Sequence, residues 1–451
     1  MRHLAPEAKA LLRRAFDAAV AACHPRAALS GRLPPAPNGR VLVLGAGKPA
    51  AAMAAAAEDH YLAAGVDVTG AVVAPYGHGA RTERIEVQES SHPVPDGASV
   101  AAATRLLALA DAAGAGDLVV ALIGGGGSAL LCAPQGVSLG EKVDLTRRLL
   151  ASGAAIDEIN AVRKHLSAIK GGRLAARIQP ATVFTLAISD VVGDDPATIA
   201  AGPTVADPTT FQDALGVLSR YGLEAPAARA ALEAGARGEV PETLKPGDPL
   251  LAGTSFEIVA SNATALAAAA RVLEAAGCAV EVSSVPEVGE ARLAAQSRAR
   301  TVARRLVSGG PLEPTALLSG GEVTVTLYGG SSEGRAPAGR GGPNGEYALA
   351  FAASLREELD RSLRPDAVGP AMARVCVLSA DSDGVDGASG FAGALFGSGE
   401  LTSLDPGELR DAVARHDSSS LLQRHGAALV TGPTLTNVND LRFILLLPET
   451  G

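Results

Sequence analysis

The sequence predicts an α/β protein of two domains, each a sheet of strands covered by helices. Three observations carry that expectation. Short β-rich runs alternate with Ala/Leu-rich helical stretches, the chain runs to 451 residues, and a Gly- and Pro-rich stretch interrupts the pattern near its middle.

The strands expected first are VLVL (41–44), AVVAPYG (71–77), DLVVALI (117–123) and TVFTLAIS (182–189), nearly continuous apolar runs of the kind a parallel sheet buries on both faces. After Ala155, the apolar residues Ile156, Ile159, Val162, Leu166 and Ile169 recur at helical spacing. Arg163, Lys164 and Lys170 fall off that stripe, so a helix with one buried and one basic face is expected. The stretch 228–248 reads as the boundary between an N-terminal domain, 1–240, and a C-terminal domain, 250–451. Strands of the second domain are expected at 256–260, 315–318, 323–327, 375–378 and around Leu429.

Composition narrows the function. Aromatic residues make up 3% of the chain and tryptophan is absent, so Ala, Val and Leu must fill the cores and base-stacking platforms are not expected. A net charge of −9 argues against nucleic acid or an anionic membrane as partner, but leaves room for small anions in a local basic pocket. The four cysteines, Cys23, Cys132, Cys278 and Cys376, form no metal-binding or redox spacing. With no secretory leader and no apolar run long enough to span a bilayer, a cytoplasmic protein is expected.

Several polar segments follow the expected strands, where helix N-termini and free amides face a ligand. GAGKPA holds Gly45, Gly47 and Lys48. It is no Walker A loop, because Pro49 stands where a Ser or Thr would bind magnesium. Its faint likeness to a dinucleotide fingerprint is opposed by the next strand, AVVAPYG, which ends without the acid that would hold a ribose. GGGGS, made of Gly124, Gly125, Gly126, Gly127 and Ser128, is a candidate phosphate nest, with a permissive loop as the ordinary alternative. The run RKHLSAIKGGRLAAR carries Arg163, Lys164, Lys170, Arg173 and Arg177 and no acid, which suits carboxylate or phosphate binding. Its Gly171-Gly172 pair is expected to break the helix and start another at Arg173.

In ISDVVGDDPATIAAGPT, Asp190 is the first choice for magnesium or for orienting a hydroxyl, while Asp194 and Asp195 read as turn or cap residues. Ser91 and His92, in a proline-fixed loop, are substrate-site candidates, and a structural histidine is equally consistent. The second half adds SGGEV with Glu322, GRGGPNGE with Arg340 and Asn344, DSDGVDG with Asp383 and Asp386, and TGPTLTNVND with Asn437. DSDGVDG lacks the bidentate Glu of a calcium loop and reads as a turn.

In this order, GAGKPA, SSHPVPDG, GGGGSALL, LSAIKGGRLA, ISDVVGDDPATIAAGPT, SGGEVTV, GRGGPNGE, DSDGVDG and TGPTLTNVNDL resemble the glycerate 2-kinases that carry a C-terminal MOFRL domain. The resemblance implies a Rossmann-like N-terminal domain, a smaller α/β C-terminal domain, and an active site in the cleft between them. It also implies transfer of the ATP γ-phosphoryl group to the 2-hydroxyl of (R)-glycerate with Mg2+, and a catalytic lysine at Lys48. The roles expected on this basis are catalysis by Lys48, Asp190 and Arg340, with Asp190 also holding the metal. Nucleotide contacts are expected from Gly45, Gly47, the loop Gly124 to Ser128, Lys170, Glu322, Asn344, Asp383 and Asn437, and substrate contacts from Ser91, His92, Arg163 and Lys170.

The chain departs from the commoner GGRNQE at Pro343 and Gly345. Three readings stay open there: Arg340 replaces the missing guanidinium, the guanidinium is dispensable, or the substrate is a related hydroxy acid. An NAD(P)H-dependent hydroxypyruvate reductase and a non-catalytic metabolite sensor are the rival functions, and a homodimer is the expected assembly.

Overall fold

The structure is a computed structural model that describes residues 4–327 and 339–449. It divides into two units, one of Pro25–Ser261 and one joining Met1–His24 to Asn262–Gly451.

In the Pro25–Ser261 unit, six strands lie parallel in one sheet: β1 (Val41–Ala46), β2 (Val68–Pro75), β3 (Ile85–Ser90), β4 (Leu118–Gly124), β5 (Thr182–Ile188) and β6 (Thr254–Ala260). Their order is β3-β2-β1-β4-β5-β6. This is the Rossmann order, and it switches direction between β1 and β4, where ligands of such sheets gather beyond the strand ends. Every residue of β1 and β4 is buried, as an apolar run in a sheet covered on both faces requires. The covering helix Ala50–Ala63 buries Ala50, Ala51, Ala54 and Ala57 beside Met53, and the small alanine side chains let it lie close to the sheet. Local sequence fixes other helix starts. Capping boxes at Asp96/Ser99, Ser138/Glu141 and Thr210/Asp213 open the helices Gly97–Asp111, Leu139–Ala151 and Phe211–Arg220.

The second unit contains β7 (Ala279–Val282), β8 (Glu287–Glu290), β9 (Thr315–Thr324), β10 (Val375–Asp381), β11 (Gly393–Phe396), β12 (Ala428–Leu429) and β13 (Asp440–Leu446). They form a mixed sheet of order β12-β11-β10-β13-β9-β7, with β8 paired parallel to β9. The helices Ala291–Val307 and Pro343–Ser362 share its core through Ala295, Ala299, Val302, Tyr347, Phe351 and Leu355. The N-terminal helix Leu4–Cys23 belongs here. Lys9 pairs with Glu400 at 2.9 Å, and the Cys23 carbonyl accepts from Thr436 Oγ1 at 2.8 Å.

Four local expectations differ from the structure. The strand expected at 256–260 in the second domain is β6, which pairs parallel with β5 and completes the first sheet. The Gly/Pro-rich stretch before it is therefore no linker. It holds the helix Pro226–Ala236 and then a buried Thr243 and Leu244, whose backbone bonds Gly171 and Asp207. The units accordingly divide at Ser261 and His24, in place of the division at 240–250. The strands expected at 315–318 and 323–327 are one strand, β9. Its Gly320 and Gly321 mark close approach, since a Cβ on Gly320 would collide with the Asn262 side chain and one on Gly321 would stand 2.2 Å from the Glu287 carbonyl oxygen. Finally, the helix after Ala155 ends at His165. Its supposed basic face is largely interior, with Lys164 and Lys170 both buried. Gly172, at φ 78°, opens the next helix, Arg173–Ile178, where the glycine pair indicated.

Among the described residues, no helix is long and apolar enough to cross a membrane.

Candidate active site

The loops leaving β1 and β4 meet backbone to backbone. The Lys48 amide donates to the Gly125 carbonyl at 2.7 Å, and the Gly47 amide to Val73 at 3.1 Å. A Cβ on Gly47 would lie 2.7 Å from the Gly124 carbonyl, and one on Gly124 would lie 2.4 Å from Pro49 Cγ. Both glycines are thus required by packing, before any ligand is considered. Gly126 has φ 77°, and a Cβ there would stand 2.9 Å from His92 Cδ2, so the imidazole lies against the glycine loop. Among the described residues, the amides of Gly126, Gly127 and Ser128 donate to no backbone carbonyl, which leaves three adjacent backbone donors beyond the Gly124/Ile188 pair that ends the β4–β5 ladder. Lys48 is half-buried beside them.

Below the loop lies a cavity of about 160 Å³, lined by Pro93, Val94, Ser128, Cys132, Lys142 and Arg163 among others. Lys142 is buried, and its Nζ donates to the Leu166 carbonyl at 2.5 Å. Burial lowers its pKa to about 8, with Arg163 and Arg173 adding to the fall. Burial also lowers Arg163. Lys170, wholly buried, is driven well below the ordinary lysine range by desolvation and by its neighbours Arg163 and Lys142. Its Nζ donates to the carbonyls of Leu131 (3.2 Å) and Ala200 (3.4 Å) and so braces the glycine loop against the segment after β5. The rest of the basic run is spent on structure. Lys164 pairs with buried Asp207 at 3.3 Å, Arg173 donates to the carbonyls of Lys164, Ser167 and Pro241, and Arg177 pairs with Asp111.

Asp190 stands half-buried just beyond β5. Asp195 accepts from the Ala197 amide and Thr198 Oγ1, and Asp194 occupies a left-handed turn at φ 55°, the turn and cap roles expected of them. Ser91 is half-buried beside His92, and Gly45 lies within β1.

In the other unit, Asn344 is a buried hub. Its amide donates to Asp386 Oδ1 at 2.8 Å, its Nδ2 to Asp440 Oδ1 at 2.6 Å, and its Oδ1 accepts from Ser379 at 2.7 Å. The Gly345 amide donates to the second oxygen of Asp386 at 2.8 Å. Asp386 thereby caps the helix that begins at Pro343, where proline costs no hydrogen bond. Its burial, with Asp440 near, raises its pKa to about 7 against the pull of the two amides. Asp440 also pairs with fully buried Arg442, which stacks on Tyr347 at 4.8 Å. Asp383 accepts from the Val385 amide in a turn, Asn437 is buried and accepts from the Asn439 amide, and Glu322 and Arg340 are exposed.

Two stretches of the chain match known families: residues 11–233 the "Domain of unknown function (DUF4147)" and residues 315–440 the MOFRL family. A glycerate 2-kinase of Pyrococcus horikoshii is 37% identical over 422 residues, 92% of this chain and 89% of its own. The chain belongs to the glycerate 2-kinase family. The crystal structure of a glycerate kinase from Thermotoga maritima superposes with a TM-score of 0.80 at 32% identity, covering 99% of this chain and 100% of that one. A protein of Agrobacterium vitis that carries a provisional hydroxypyruvate reductase name is 45% identical, over 97% of this chain and 94% of its own.

In this member of the glycerate 2-kinase family, the structure brings Lys142, for which the sequence analysis gives no role, to the same cavity wall as Ser128 and Arg163. The signal was present: Lys142 shares its helix face with buried Leu145 and Leu149, at spacings that place a lysine on an apolar stripe. The structural roles of Asp440 and Arg442 carried no comparable local signal.

Proposed function

We propose that the protein transfers the γ-phosphoryl group of ATP to the 2-hydroxyl of (R)-glycerate, releasing 2-phosphoglycerate and ADP. The observation that carries this reading is the meeting of the Lys48 and Gly124 to Ser128 loops at the switch point of a sheet whose relatives, matched over nearly their whole length, include glycerate kinases. Such a transfer asks the protein mainly for alignment and charge neutralisation. The adjacent amides of Gly126, Gly127 and Ser128 hold phosphate oxygens, and the Lys48 ammonium balances charge on the group in transit. Asp190 orients the acceptor hydroxyl, and Arg163 holds the substrate anion.

Magnesium fits the donor set, because it binds through one or two carboxylates plus substrate phosphates, and Asp190 offers one carboxylate beyond a strand end. When bound, it would neutralise phosphate charge. The four cysteines are free thiols, which fits work in the reducing cytoplasm.

The reductase reading draws less support. No acid stands at the end of β2 to hold a ribose, and Glu89, the carboxylate beside it, accepts from the amides of Gly77 and Gly79. Two assays separate the readings: ATP with (R)-glycerate followed by phosphorus NMR, and NADH with hydroxypyruvate followed by absorbance. A 2-phosphate signal is expected in the first. A 3-phosphate signal overturns the regiochemistry, and NADH oxidation without ADP release overturns the kinase.

A further inference from the structure

Lys142 and Arg163 present a problem that the protein alone does not solve. Both line the cavity beside Cys132, with Lys170 close behind, and among the described residues no carboxylate pairs with any of the three. The lysines hydrogen-bond only backbone carbonyls, Lys142 those of Leu166 and Arg163, and Lys170 those of Leu131 and Ala200. Gathering cations away from water without an anion is unfavourable, and an anionic ligand removes the penalty. A second observation points the same way: Ser128 Oγ, on the cavity wall, is shielded from solvent and has no hydrogen-bond partner among the described residues.

We infer that this cavity is the carboxylate subsite of the acceptor acid, with Lys142 its specificity-determining residue and Ser128 a hydrogen-bonding partner. This rests on the reading of the protein as a hydroxy-acid kinase and extends it to a residue that reading does not use. Size selects the occupant. A cavity of about 160 Å³ is below the roughly 300–1,000 Å³ typical of sites for larger organic ligands, and suits a three-carbon acid. Position agrees with size. Ser128 belongs both to the cavity wall and to the glycine loop, so an acid whose carboxylate rests on Lys142 and Arg163 extends its hydroxyl end toward the loop amides. The walls from Pro93, Val94 and Val143 are apolar, which strengthens a charge-assisted contact inside.

The test compares wild type with Lys142→Met, in which a flexible apolar chain of similar length replaces the buried ammonium. Binding of (R)-glycerate, glycerol and ATP is measured separately by calorimetry, with a thermal melt of each protein. (R)-glycerate is expected to bind the wild type, glycerol not to bind, and Lys142→Met to lose about tenfold or more in glycerate affinity with ATP affinity unchanged. The KM for glycerate rises to match while kcat holds. Unchanged glycerate affinity in a folded Lys142→Met overturns the inference. So does a loss of ATP affinity alone, which would make the cavity a phosphate site. Should Lys142→Met melt early, Ser128→Ala provides the second measurement, with a loss of glycerate affinity expected and none overturning the proposal. Glycerate binding that depends on Lys142 without ADP formation would sink the kinase reading and leave the carboxylate subsite standing.

Discussion

The amide of Lys48 donates to the carbonyl of Gly125 at 2.7 Å, joining the loop after β1 to the loop after β4. The bond is made by the backbone of Lys48, so alanine at position 48 keeps this donor.

Lys48→Ala should therefore keep the fold and lose the chemistry. A fall of about 10²–10³-fold in kcat, the scale seen when one transition-state charge partner is removed, is expected in a variant that still folds. Near-normal turnover in the folded variant removes Lys48 from the mechanism.

Gly126→Ala should be destabilising. Alanine at φ 77° costs about 1–2 kcal/mol in backbone strain, and its Cβ would stand 2.9 Å from His92 Cδ2. A lowered melting temperature is expected, and His92→Gly in the same chain should return the steric part of the loss and not the strain.

Acid binding should weaken above about pH 8, the pKa to which burial lowers Lys142, because a neutral amine no longer holds a carboxylate. The groups that face this ammonium are Cys132, Arg163, Arg173 and, behind it, Lys170. The linkage to stability has the opposite sense. Between about 8 and the ordinary 10.5, the unfolded chain holds the proton that the folded chain has shed, so stability rises with pH across that window. This is the contribution of Lys142 alone: Lys170, also lowered by burial, adds to the rise, and the buried thiols of Cys23 and Cys376, raised by burial, oppose it. Denaturant melts from pH 7 to 10.5 should therefore show a more positive slope in wild type than in Lys142→Met.

Asp386 should make stability fall as pH rises through neutrality. Its folded pKa of about 7 lies above the ordinary 3.8, so the folded state binds the proton more tightly, and that advantage is lost between the two values. Asp386→Asn, which does not titrate, should flatten this slope. Asp386→Ala should cost about 1–2 kcal/mol at every pH through loss of the cap on the Asn344 and Gly345 amides. Equal pH slopes for wild type and Asp386→Asn would refute the assignment.

Periodicity and glycine placement made much of the first sheet readable. The runs that begin at Val41, Leu118 and Thr182 are short, apolar and followed by loops with glycine or aspartate, and they became β1, β4 and β5. The second unit was less readable because glycine carries two meanings. Gly320 and Gly321 resemble a turn in sequence, but they lie inside β9, where Asn262 and Glu287 leave no room for a side chain. The GGGG run shows the same ambiguity, since Gly124 and Gly127 are required by Pro49, Ala46 and Ala200 whether or not a phosphate binds.

By itself, the sequence determined the α/β class, the loops at the strand ends and a basic run in an acidic chain, since each is written in local spacing and residue type. Tertiary structure alone decided which of those basic groups face a cavity. Lys164, Arg173 and Arg177 sit in the same run as Arg163, yet carbonyls and carboxylates from distant segments engage them, while Lys142, from another helix, joins Arg163 beside Cys132. Charge is a property of the residue, but the anion a charge faces depends on contacts between segments far apart in the chain.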